Sequence, residues 1–129
     1  MKKNKLSHKK SARDRLIRNL LSSLVLYGEI STSAAKAKVL KSQAQKLIHL
    51  KDEQEGFNRK RLLEKILYGG ATEMFESKKY SSVSIFILDQ RFGDGAQKML
   101  VRLNELKSPT KAEGVSKVKT NTSKITKKK

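Results

Sequence analysis

Val83-Ser84-Ile85-Phe86-Ile87-Leu88, then Arg91-Phe92-Gly93-Asp94-Gly95-Ala96, then Lys98-Met99-Leu100-Val101-Arg102-Leu103-Asn104-Glu105-Leu106 is the stretch that decides the fold class. The first run is short and β-branched, which favours a strand over a helix. The middle run, with two glycines, reads as a turn. The last run alternates, so that Met99, Val101 and Leu103 share one face. The two runs predict a hairpin with a long, flexible connection.

Upstream of this stretch the apolar period is helical. Leu16, Ile17, Leu20, Leu21, Leu24 and Val25 predict a helix over residues 11–27, which Gly28 can end in a left-handed conformation. Glu29-Ile30-Ser31-Thr32 reads as a short extended piece. Thr32 or Ser33 can cap a second helix over residues 34–50, with Ala37, Leu40, Ala44, Leu47 and Ile48 on its inner stripe. Asp52-Glu53-Gln54-Glu55-Gly56 reads as a polar connector. Asn58 is the expected cap of a third helix over residues 59–68, with Leu62, Leu63, Ile66 and Leu67 inward and Gly69-Gly70 as its end. A helical turn over residues 72–77 follows, with Thr72 as cap and Glu73 in its first turn. The expected fold is therefore α+β and two-layer: helix, strand, three helices, two strands, with the helices packed on a small sheet.

The chain has 129 residues and a formal net charge of +18. Residues 1–20 carry +7 of this and residues 108–129 carry +6, whereas residues 52–107 are nearly neutral. This distribution predicts a basic N-terminal arm over residues 1–10, one domain over residues 11–107, and a basic disordered tail over residues 108–129 that begins at Ser108-Pro109. So much like charge disfavours a free compact protein, and a polyanion relieves it. Cysteine is absent, which excludes disulfides, thiolate-bound zinc and thiol catalysis. The longest apolar runs, Leu24 to Leu26 and Ile85 to Leu88, fall far short of the ~20 residues of a membrane span. No secretory apolar segment follows the basic start, so the expected location is cytoplasmic.

Catalytic chemistry finds no support. The two histidines, His8 and His49, fall in the basic arm and on the polar side of the second helix. No metal-ligand spacing or phosphate-cradling loop is present, so no enzyme activity, cofactor, metal or small-molecule substrate is expected. The informative groups are cations. Lys2, Lys3, Lys5, His8, Lys9, Lys10, Arg13, Arg15 and Arg18 run through the arm and the first helix. Lysines supply point charges for phosphates and arginines add a planar fork that bridges two oxygens or stacks on a base. Lys36, Lys38 and Lys41 add cations on the second helix, and Arg59 and Lys60 on the third. The arm offers too few apolar anchors for a membrane surface. Charge alone fits folded RNA, and it fits equally a non-specific architectural protein on duplex DNA.

The ordered set Arg18-Asn19-Leu20, Ser23-Leu24-Val25, Gly28-Glu29-Ile30-Ser31-Thr32, Ala35-Lys36-Ala37-Lys38 and Leu47-Ile48-x-Leu50 resembles the bacterial large-subunit ribosomal protein seventeen family. Lys5-Leu6-Ser7-His8 resembles that family's basic opening, and Asn58-Arg59-Lys60-Arg61 resembles the start of its third helix. Arg91-Phe92-Gly93-Asp94-Gly95-Ala96 resembles its last turn. The resemblance covers about residues 5–107. It implies a two-layer α+β structural protein of the large ribosomal subunit that binds 23S rRNA near the outer side of the peptide exit tunnel, with neighbouring large-subunit proteins as further partners. Two departures stand out: Lys3 replaces the family's usual histidine, and Lys78-Lys79-Tyr80-Ser81-Ser82 replaces its Gly-Gly-Tyr stretch.

Overall fold

Gly28 marks the first corner of the chain. Its φ of +77° lies in the left-handed region that glycine tolerates, and its N–H donates to Leu24 O at 2.9 Å. The computed structural model describes residues 4–53 and 56–106. In it the expected order of elements is present: α1 (Lys10–Tyr27), β1 (Glu29–Ser33), α2 (Ala34–Glu53), α3 (Gly56–Ile66), α4 (Gly69–Ser77), β2 (Tyr80–Gln90) and β3 (Gln97–Glu105). Residues 1–3 of the predicted arm and the whole of the predicted tail lie outside the described residues.

The three strands form one antiparallel sheet in the order β1-β3-β2. β3 is thus central, with Ile30 opposite Val101 on one side and Ile85 opposite Val101 on the other. Helix α2 lies across β2 and β3, while α1 packs on α4. Ala37 and Ala44 on the inner stripe of α2 are fully buried, and their small size lets the helix approach the sheet closely. The core joins Leu21, Leu24 and Val25 of α1 to Leu40, Leu47 and Ile48 of α2. It is completed by Leu63, Leu67, Phe75, Tyr80, Val83, Val101 and Leu103. Phe75 and Tyr80 stack with ring centroids 5.1 Å apart.

Local expectations fail where tertiary contacts dominate. α2 continues through Asp52 and Glu53, which the polar composition had assigned to a connector. α3 begins at Gly56, whose φ of +64° turns the chain just before it, so Asn58 sits inside the helix rather than at its cap. Gly69 and Gly70 do not end α3; they open α4. The reason is that Leu67 is fully buried and the next residue, Tyr68, lies 4.1 Å beneath the Arg18 guanidinium. Those two contacts fix the break between the helices at residues 67–68. Thr72 is accordingly not a cap: it is buried within α4, and its hydroxyl has no partner among the described residues. The Tyr68 carbonyl instead accepts from the N–H groups of Ala71 and Thr72 at 2.9 and 3.2 Å.

The hairpin connection is pinned rather than flexible. Arg91 N–H donates to Ala96 O at 2.9 Å and Gly95 N–H donates to Arg91 O at 3.0 Å. The Arg91 guanidinium clasps the Asp94 carboxylate through two nitrogens, and Ala96 N–H donates to the same carboxylate at 3.2 Å. Gly93 and Gly95 supply φ of +105° and +62°.

Leu24→Ala should cost about 2–5 kcal/mol by removing a fully buried side chain, whereas Leu26→Ala, at a position 44% exposed, should stay within about 0.5 kcal/mol of the parent. Urea denaturation of the two variants checks the contrast. The Asp94 carboxyl is held well below the ordinary aspartate range by the hydrogen bond from Arg91 and then by the Ala96 N–H. Because its folded value lies below its unfolded one, the clasp is present above the ordinary aspartate value and is lost as pH falls through the folded value. A carboxyl NMR titration should therefore place the Asp94 midpoint below ~3.9, and Arg91→Ala should raise it towards that value.

Candidate nucleic-acid interface

The arm is shaped by a tight turn. Leu6 and Ser7 have φ of 51° and 55°, and His8 N–H donates to Lys5 O at 3.1 Å. Two consecutive positive φ values are those of a type I′ turn. The turn leads directly into Lys9, the N-cap of α1, which makes no side-chain cap hydrogen bond. No acidic residue lies in the first turn of α1. The positive end of the helix dipole therefore carries Lys9, Lys10 and Arg13, and the nearest acid, Asp14, comes only in the second turn. Uncommitted backbone N–H groups and a positive dipole at that end suit an anion. Lys5, His8, Lys9, Lys10 and Arg15 are exposed and Arg13 is half-buried. Lys2 and Lys3 lie outside the described residues.

Arg18 faces inward. One of its terminal nitrogens donates to Glu64 O and Leu67 O, both at 2.8 Å, and Tyr68 N–H donates to Ser22 Oγ at 3.0 Å. Arg18 and Ser22 thus stitch the C-terminal end of α3 to α1. Between these helices and α2 runs a groove of about 430 Å³ lined by Asp14, Arg15, Arg18, Gln43, Lys65 and Tyr68, among others. It brings Arg15 and Arg18 together with Lys65, a cation the sequence reading did not single out.

On α2, Lys38 is exposed whereas Lys36 and Lys41 are half-buried. At about 100° per residue, Lys36 and Lys41 lie on opposite shoulders of the buried stripe, so the three do not share one face. Lys46 joins Lys38 on the outward side. On α3, Lys60 is exposed and Arg59 is half-buried. Arg59 lines a second cleft, of about 540 Å³, with Lys51, Asp52, Lys79, Tyr80 and Ser81.

Lys51 was invisible as a structural residue in the sequence. Its Nζ donates to Phe75 O at 2.5 Å, Glu76 O at 3.1 Å and Lys78 O at 2.5 Å, capping the C-terminal end of α4. Burial, and then the charge of Arg59, lower its pKa from the ordinary lysine value. A helix-periodic lysine at the end of α2 gives no hint that it caps a different helix. The open face of the sheet was also missed. There Arg102 pairs with Glu29 and lies 5.5 Å from the Phe86 ring centroid, with Phe86 itself 47% exposed. Among the described residues no cluster of histidines and acids could hold a metal ion, and no helix is long and apolar enough to cross a membrane.

Residues 16–104 match the family model described as Ribosomal protein L17. A Sulfurihydrogenibium sp. protein named Large ribosomal subunit protein bL17 is 32% identical over 118 residues, which is 84% of this chain and 97% of the relative. A protein of the same name from Carboxydothermus hydrogenoformans is 31% identical over 107 residues, covering 77% of this chain and 96% of the relative. One from Borrelia turicatae is 29% identical over 108 residues, covering 78% and 87%. The ordered motifs, the α+β fold and these matches agree: the chain belongs to the ribosomal protein L17 family, a family of structural ribosomal proteins and not of enzymes.

Proposed function

We propose that this protein is a structural constituent of the large subunit of the cytoplasmic ribosome. It binds 23S rRNA through its basic arm, the start of α1 and the outward cations of α2 and α3. By family resemblance the site is near the outer side of the peptide exit tunnel, beside neighbouring large-subunit proteins. The observation that carries the RNA reading is the start of α1. An uncapped helix N-terminus with no acid in its first turn is surrounded by Lys9, Lys10 and Arg13 and preceded by a turn presenting Lys5 and His8. Phosphate oxygens accept from such N–H groups while the lysines and arginines neutralise their charge. Lys38, Lys46 and Lys60 add exposed positive charge elsewhere on the body. Lys36, Lys41 and Arg59 extend it from half-buried positions, and Lys2 and Lys3 extend the arm.

If about eight phosphates are neutralised, binding to 23S rRNA should weaken with salt at a log–log slope on the order of −6 to −7. A slope near zero sinks the reading. Removal of residues 1–8 takes three lysines and leaves Lys9, the α1 cap, in place. It should flatten that slope by roughly 2–3 with little change in thermal stability, since the α1 residues packed on the core begin at Ile17. Competition with duplex DNA separates this reading from an architectural DNA-binding role: DNA displacing the protein from rRNA at equal phosphate concentration would favour the latter.

A further inference from the structure

The second cleft has a chemistry of its own. It lies where the end of α2, the first turns of α3, and the start of β2 meet, and three cations and one carboxylate stand on its wall: Lys51, Arg59, Lys79 and Asp52. Lys51 is committed to three carbonyls of the α4 end. The side chains of Arg59 and Lys79 make no hydrogen bond or ion pair among the described residues. Two of the lining residues carry a buried donor with no partner among the described residues: Arg59 Nε and the Tyr80 hydroxyl. Tyr80 is only 5% exposed, and its ring is fixed by the stack on Phe75. A buried donor without an acceptor is costly, so two of them beside one opening mark a place for acceptor oxygens. The volume, about 540 Å³, falls within the range of small-ligand sites.

We infer that this cleft binds a phosphate-type oxyanion, with Arg59 and Lys79 supplying the charge and the Tyr80 hydroxyl a neutral donor. A tetrahedral oxyanion has acceptors in several directions, which suits a guanidinium, an ammonium and a hydroxyl converging from different elements. Asp52 reduces the local charge without cancelling it. Burial and the nearby positive charges of Arg59 and Lys79 already push the Lys51 ammonium down, and a bound anion relieves that repulsion. Two sources share this chemistry: a backbone phosphate of RNA and free inorganic phosphate. The first rests on the function proposed above and gives the protein a contact well separated in sequence from the arm.

The full-length protein can be titrated with inorganic phosphate, against sodium chloride at matched ionic strength, and followed by ¹H–¹⁵N NMR. Phosphate-specific shifts are expected at the amides of residues 79–81 and at Arg59 Nε–H. They should weaken several-fold in Tyr80→Phe, which keeps the stack on Phe75, and vanish in the Arg59→Gln/Lys79→Ala double variant. The salt slope on 23S rRNA identifies the source. An RNA phosphate in the cleft makes the slope of the double variant shallower by about 0.7–0.9, with far-UV circular dichroism unchanged. Phosphate shifts with an unchanged slope support the site with the free anion as its occupant. No phosphate-specific shifts and an unchanged slope, while the wild-type slope stays steep, overturn the cleft and the part given to Arg59 above, and leave the rest of the RNA-binding reading standing. A flat wild-type slope overturns that reading alone, and the phosphate titration then decides the cleft.

Discussion

β3 is hydrogen-bonded on both edges, and this single constraint orders the rest of the molecule. Its register sets Ile30, Val101 and Ile85 in one row and Thr32, Met99 and Ile87 in the next. With a period of two, all of these point to the same side of the sheet. α2 covers that side over Val83, Val101 and Leu103, because Ala37 and Ala44 permit close approach and Leu40, Leu47 and Ile48 fill the remaining space, while Ile87 lies beyond the helix and stays exposed. Once α2 is laid on the sheet by that stripe, the direction of its cations follows. Lys38 and Lys46 are turned to solvent, while Lys36 and Lys41 are left at the shoulders. The placement of positive charge on α2 is thus a consequence of strand pairing more than 50 residues later in the chain.

The cations divide into two populations that composition cannot separate. Arg18 and Lys51 are structural: each holds the C-terminal carbonyls of a helix other than its own, α3 and α4 respectively. A helix C-terminus offers unsatisfied acceptors and a negative dipole end, so a cation from a neighbouring element meets both demands at once. Arg91, Arg102 and Lys78 are paired with Asp94, Glu29 and Glu105 around the sheet. Exposed pairs of this kind add little to stability, but they cancel three positive charges around the sheet. Among the described residues, the cations outside these pairs stand at the arm, the start of α1 and the outward sides of α2 and α3, and also at Lys79 and Lys98 beside the sheet.

Much of the fold was legible because its signals are local and strong. The β-branched run at 83–88, the stripe on α2 and the glycine at position 28 each specify an element by themselves. The order of strands was not, since the partner of β1 depends on the pairing of Ile30 with Val101 across 71 residues. Nor was the boundary between α3 and α4. Gly69-Gly70 reads as a stop signal by propensity, yet the buried Leu67 and the Arg18–Tyr68 contact move the break two residues earlier. The interface was legible as a list of cations but not as a geometry. Arg18 and Arg15 have the same charge and lie one turn apart on α1, and only the packed structure reveals that both reach the groove while Arg18 alone is committed to carbonyls.

The start of α1 carries this division furthest. Its core contacts begin at Ile17, so the first turns hold together by helix propagation, which alone is marginal over so short a length. Cations at a helix N-terminus are unfavourable by about 0.3–1 kcal/mol each, and Lys9, Lys10 and Arg13 all stand there. An adjacent polyanion reverses the sign of each of these interactions. Anything that binds the ordered turns better than the frayed ones stabilises them by mass action. On the function proposed above, RNA binding and helical order at residues 9–15 are two faces of one equilibrium, in which the ligand completes a helix start that is weak in the free protein.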